Sequence, residues 1–148
     1  MINKNIKDLN SILEGEYIAI KNFDDLIEYA KNPNAKSTLQ KIQESHRQHT
    51  SQISTQIQNL GGNPPDSIGI QGVVASTISN IKHIGTTDNT TYLNEALQGE
   101  YMGIKTINEL LANNTDPNSS QLLNTIITEY QSNVDSLNNL ISTSKNAQ

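Results

Sequence analysis

A repeat narrows the fold more than any other feature of this chain. Laid on the second half at one constant offset, LNSILEGEYIAIKNFDDLI (Leu9 to Ile27) falls on LNEALQGEYMGIKTINELL (Leu93 to Leu111). Leu9, Asn10, Leu13, Gly15, Glu16, Tyr17, Ile20, Lys21 and Leu26 meet identical residues at Leu93, Asn94, Leu97, Gly99, Glu100, Tyr101, Ile104, Lys105 and Leu110. Without a gap, the same offset places Asn32-Pro33-Asn34 on Asp116-Pro117-Asn118. It also places Leu39, Ile42 and Ile53 on Leu123, Ile126 and Leu137. A duplicated helical hairpin accounts for the pattern. The unit is far longer than the repeats of solenoids, so a two-fold bundle is expected rather than an open array.

Each unit reads as two long helices. In the first, apolar residues recur in steps of three and four at Leu9, Leu13, Ile20, Phe23, Ile27 and Ala30, the spacing of one helical face. The second carries Leu39, Ile42, Ile53 and Leu60, with His46, His49 and Gln56 in the slots between. The third carries Leu93, Leu97, Ile104, Ile107 and Leu111. The fourth carries Leu123, Ile126, Val134, Leu137, Leu140 and Ile141, with Tyr130 and Asn133 on its seam. Asn32-Pro33 and Asp116-Pro117 pair a capping residue with a helix-starting proline, which predicts short turns and antiparallel hairpins. Gly61-Gly62 ends the second helix and Pro64-Pro65 forbids its continuation.

These readings predict an all-α, four-helix bundle in one domain spanning residues 1–148. The first hairpin takes about 3–60, a crossover about 61–89 and the second hairpin about 90–143. The crossover, with a short amphipathic helix expected over Val73 to His83, is long enough to traverse the bundle, so the second and third helices are expected to run parallel.

Composition excludes several functions. The formal net charge is −5 and the basic residues are scattered singly, so nucleic-acid binding is not expected. No apolar run reaches the roughly 18 residues of a membrane span. MINKNIKDLN lacks the apolar core of a signal peptide, so a cytoplasmic setting is expected. With no cysteine in the chain, any metal must be held by His, carboxylate, Tyr or amide groups. No nucleophile–base pair, phosphate-binding glycine loop or dinucleotide fingerprint is present.

At one level the apolar seams turn polar. Glu16 and Glu100 stand where Leu or Ile is expected. His46 and His49 share one face of the second helix, and Tyr130 and Asn133 take the equivalent slots of the fourth. An ionised carboxylate buried without a partner is costly, so these groups need one another, water or a cation. Gly15 and Gly99, each just before the inner Glu, are expected to mark close packing beside this layer, because glycine inside a helix costs roughly 1 kcal/mol relative to alanine. Tyr17 and Tyr101 read as seam-edge residues beside the site, Lys21 and Lys105 as solvated, His83 as a surface residue of the crossover.

On these residues the chain resembles ferritin-like proteins, and above all the bacterial four-helix bundles grouped as domain of unknown function 2383. The resemblance covers nearly the whole chain, including the Leu60-Gly61-Gly62 stop and the long crossover. Dimetal members of the superfamily take a Glu from the first and third helices and a Glu-x-x-His from the second and fourth. Glu16 and Glu100 match the two single positions. The second helix offers His46-Arg47-Gln48-His49 instead, and the fourth Tyr130-Gln131-Ser132-Asn133. Both bridging carboxylates and one histidine are therefore absent, and di-iron oxidase activity is not expected.

The set Glu16, His46, His49 and Glu100 suits a single Fe²⁺, Mn²⁺ or Zn²⁺ ion. Glu129, Tyr130 and Asn133 are further candidates beside it. The expected function is metal handling or oxidative-stress protection. The alternative is a metal-free bundle, homodimeric and acting in stress or dormancy, whose polar layer fixes helix register. The sequence identifies no protein partner.

Overall fold

A computed structural model of the chain describes residues 2–66, 90–113 and 115–146. The expected crossover helix over Val73 to His83, and His83 itself, lie outside the described residues. Four helices form: α1 (Ile2–Tyr29), α2 (Pro33–Asn59), α3 (Thr91–Leu111) and α4 (Pro117–Asn146). No strand occurs among the described residues, and none of their helices is long and apolar enough to cross a membrane.

Local chemistry sets the helix ends. Asn32 caps α2, its side-chain oxygen accepting from the amides of Asn34 and Ala35 at 2.8 and 3.2 Å, with Pro33 in the first turn. Asp116 does the same for α4, accepting from the Ser119 amide at 3.1 Å. These oxygens satisfy amides that no helical carbonyl can reach. At the far end of α2, Gly61 adopts a φ of 89°. The Gly61 and Gly62 amides donate to the carbonyls of Gln58 and Ile57 at 2.9 and 2.8 Å, a left-handed stop that strongly favours glycine.

The two hairpins pack α1 on α2 and α3 on α4, and they meet through α1 with α3 and α2 with α4. Buried apolar residues form two clusters. One joins the end of α1 (Phe23, Leu26, Ala30) and the start of α2 (Ala35, Leu39, Ile42) to the start of α3 (Tyr92, Leu93, Leu97) and the end of α4 (Val134, Leu137, Ile141). The other joins Leu9, Ile12 and Leu13 to Ile53 and Ile57, with Ile107, Leu123 and Ile126. Helices α2 and α3 thus begin at the same end and run parallel, so the end of α2 and the start of α3 lie at opposite ends of the bundle.

Some seam positions differ from the sequence reading. Leu26, rather than Ile27, is fully buried, and Ile57 takes the core place expected for Gln56. Gln56 is half-buried and donates to Ser119 Oγ at 3.1 Å. A helix turns 3.6 residues at a time, so over seven turns a strict three-and-four count drifts off the buried face by about a residue.

Candidate metal centre

The polar layer lies between the two apolar clusters. Each helix places one part of it. Glu16 on α1 and Glu100 on α3 point inward at equivalent levels, and both are fully buried, as are His46 and His49 on α2. Tyr130 and Asn133 on α4 are buried beside them. The i and i+3 spacing of His46 and His49 keeps both rings on one face.

His46 stands between the two carboxylates, with Nδ1 2.7 Å from Glu16 Oε2 and Nε2 2.9 Å from Glu100 Oε2. His49 Nδ1 lies 3.3 Å from the same Glu16 oxygen, and its Nε2 lies 3.2 Å from Glu129 Oε1. The Tyr130 hydroxyl donates to Glu16 Oε1. Asn133 Nδ2 donates to Glu100 Oε1 at 2.8 Å and to Ser45 Oγ at 3.1 Å. All seven sequence candidates therefore fall in one hydrogen-bonded network.

Their roles within it differ. One ligand atom from each of Glu16, His46 and His49 lies within 4.8 Å of the others. Glu100 is not in that group; it takes the far nitrogen of His46. Glu129, whose side chain is 36% exposed, takes the far nitrogen of His49. Each histidine thus turns Nδ1 to Glu16 Oε2 and Nε2 to a second carboxylate.

Electrostatics follow from this arrangement. Burial by itself pushes the His46 pKa down, but the charges of Glu100 and Glu16 and their hydrogen bonds outweigh it, raising the pKa from 6.5 to about 10. Burial likewise pushes Glu16 up, yet the His46 charge and the hydrogen bonds from both histidines hold it at about 2 instead of 4.5. In the metal-free chain His46 is an imidazolium that donates to two carboxylates. Burial, then the nearby Glu16 and Glu100 charges, push the Tyr130 hydroxyl well above its ordinary range, so Tyr130 remains a donor.

Several neighbours of the layer escaped the sequence reading. Gln43 is buried on α2 and donates to the Ile20 carbonyl at 2.8 Å and to Asp24 Oδ1 at 2.7 Å, tying α2 to α1 one turn before His46. Phe23 packs its ring 5.5 Å from that of His46. At Gly103 a methyl group would overlap the Tyr130 ring. The available signal was the second α3 glycine, four residues after Gly99 on the same face.

One expectation needs correction. A Cβ at Gly15 or Gly99 would meet nothing within 4 Å among the described residues, so neither glycine marks close packing; that role falls to Gly103. Tyr17 packs at the edge of the apolar cluster, as a seam-edge residue should, and donates to the Pro65 carbonyl at 3.2 Å. Tyr101 is 45% exposed.

The family described as Domain of unknown function (DUF2383) matches residues 4–113. The chain belongs to this family. No curated protein matches this DUF2383 chain in sequence. Among solved structures, a two-domain protein of Anabaena variabilis containing DJ-1/ThiJ/PfpI-like and ferritin-like domains is similar to it. The TM-score is 0.80 at 20% identity, over 100% of this chain and 39% of that one. The DUF2383 chain therefore spans about two fifths of that protein's length. A dodecameric thioferritin, the bacterioferritin-related protein of Bacteroides fragilis, aligns with TM-score 0.79 at 16% identity, over 99% of this chain and 89% of that one. A ferritin-like, diiron-carboxylate protein of Bacillus anthracis aligns with TM-score 0.71 at 20% identity, over 95% and 96%. At these identities the likeness is one of fold: this is a ferritin-like four-helix bundle.

A dimetal centre does not fit the residues present. His46 and Tyr130 fill the positions of the two bridging carboxylates, and Asn133 fills that of the second histidine. A neutral hydroxyl and an amide cannot supply the charge that two divalent ions need.

Proposed function

We propose that this bundle binds one transition-metal ion through Glu16, His46 and His49 and acts in metal handling or protection against oxidative damage. The observation that carries the proposal is the convergence of three buried donors within 4.8 Å. Two imidazoles and one carboxylate suit Fe²⁺, Mn²⁺ or Zn²⁺. The outer contacts support it as well. Ligating histidines characteristically donate their second nitrogen to a carboxylate, which fixes ring orientation and raises basicity. Glu100 does this for His46 and Glu129 for His49. On this reading Glu100 orients a ligand instead of being one. Tyr130 engages the second oxygen of Glu16, and half-exposed Glu129 offers an arriving cation its first carboxylate. A bound ion would supply Lewis-acid or one-electron chemistry.

The bridging position of His46 favours a second reading, in which the layer holds a proton and no metal. The imidazolium between Glu16 and Glu100 is already charge-compensated, and such a layer can specify helix register at some cost in stability. The two readings separate in thermal unfolding with and without chelator. A metal that binds only the folded chain stabilises it by about 2.7 kcal/mol at a hundred times its Kd. The metal reading predicts a midpoint that falls on chelation and recovers on adding Fe²⁺, Mn²⁺ or Zn²⁺. A midpoint indifferent to both treatments supports the register layer.

A single domain over residues 1–148, a cytoplasmic bacterial setting and an origin by duplication of one hairpin belong to the same reading. So does self-association as a homodimer or larger assembly, which sedimentation would test.

A further inference from the structure

Six of the seven side chains in the polar layer are buried. Glu129 is the exception: its side chain is 36% exposed, while its Oε1 lies 3.2 Å from His49 Nε2. It therefore reaches solvent and a histidine of the triad at once. We propose that Glu129 is the port of the metal site, through which the ion exchanges with solvent between α2 and α4. The proposal rests on the metal reading of the triad. To that reading it adds the route an ion takes and the residue that sets its rate.

The surroundings of the layer favour this side. Along the bundle axis the apolar clusters close it at both ends, and the Phe23 ring packs against that of His46. A hydrated cation moving through them would lose its water with no polar atom to replace it, which makes both ends barriers. Between α3 and α4, the Tyr130 ring fills the space that a Cβ at Gly103 would take. The seam between α2 and α4 has another character. Asn133 donates to Ser45, His49 meets Glu129, and Gln56 donates to Ser119. Polar side chains thus join these two helices at three levels, and the carboxylate and imidazole among them suit a transition-metal ion that is shedding its water.

The opening between α1 and α3 is the rival route, because Glu95 and Glu100 border it. Glu100 is poorly placed to serve there. Its side chain is only 2% exposed, and its two oxygens are held by His46 and Asn133.

A port lowers the barrier in both directions. Its loss slows uptake and release by the same factor and leaves their ratio, the affinity, alone. A carboxylate that only orients His49 acts differently: without it the ion arrives as before and leaves faster. Kinetics therefore separate the two roles.

The test uses Co²⁺, whose visible absorption reports its own binding. Glu129→Gln keeps the length of the side chain and an oxygen to accept from His49, and removes the charge. Stopped-flow uptake of Co²⁺, and its release into excess EDTA, should both slow by about tenfold or more in this variant, with Kd within about threefold of the parent. Added salt should slow uptake by the parent more than uptake by the variant. Glu95→Gln, at the rival opening, should change neither rate. Unaltered rates in Glu129→Gln overturn the proposal, as does faster release with unaltered uptake. Slowing by Glu95→Gln as large as that by Glu129→Gln moves the port to the α1–α3 side and overturns it too. A parent that binds Co²⁺ while Glu129→Gln exchanges it as fast overturns the port alone. A parent that binds no Co²⁺ overturns the metal reading and the port together.

Discussion

His46 is the residue on which both functional readings turn. It is fully buried between Glu16 and Glu100, and whatever sits on its Nδ1, proton or metal, decides how the layer is balanced. The metal-free chain makes a definite prediction about pH. His46 is held at about 10 against an ordinary 6.5, so its contribution to stability is complete below pH 6.5 and fades as pH rises toward 10. Glu16 is held at about 2 against 4.5, so its contribution is complete above pH 4.5 and is lost as pH falls toward 2. Urea unfolding of chelated protein should therefore give its highest midpoint between pH 4.5 and 6.5, falling on both sides. A midpoint flat from pH 6.5 to 10 would contradict the imidazolium bridge. Glu16→Gln removes the carboxylate shared by two histidines and the Tyr130 hydroxyl. The imidazolium keeps Glu100 as its counter-charge, so the cost is that of the weakened charge-assisted hydrogen bonds, about 1.5–3 kcal/mol, read by the same unfolding.

At the scale of the helices, three α1 and α3 glycines behave oppositely. Gly15→Ala and Gly99→Ala should each raise stability by roughly 1 kcal/mol, since alanine favours the helix and the new methyl meets nothing among the described residues. Gly103→Ala should lower it by about 1–3 kcal/mol, because its methyl displaces the Tyr130 ring and weakens the hydrogen bond to Glu16. Thermal midpoints of the three variants check this ordering. The same glycines mark where reading from sequence reaches its limit. The hairpins, their Asn32-Pro33 and Asp116-Pro117 starts and the Gly61 stop were legible, because caps and breakers act within a few residues. The polar layer was legible too, because Glu16, His46, His49 and Glu100 interrupt apolar seams at helical spacing. What was not legible was which helix each group faces. Gly15 and Gly99 drew attention by recurring in the repeat, while Gly103 matters because a ring from α4 approaches it, a long-range fact. Glu129 was only a further candidate, and one long side chain carries its carboxylate to His49. Gln43 is buried through its bonds to α1, which no local pattern on α2 announces.

For the whole molecule, membership of the DUF2383 family and the ferritin-like fold set a frame that the ligand residues then modify. Where dimetal relatives of this architecture place four carboxylates and two histidines, this chain keeps Glu16, Glu100 and His49. It replaces the remainder with His46, Tyr130 and Asn133, leaving half of a dimetal site with its outer carboxylates in place. The proposed function requires that this half still bind metal. Elemental analysis of protein purified without a His-tag or chelator, beside Glu16→Ala/His49→Ala, shows whether it does. About one transition-metal ion per parent chain is expected, with loss of that ion in the variant. A parent that remains metal-free after incubation with Fe²⁺, Mn²⁺ and Zn²⁺ would contradict it.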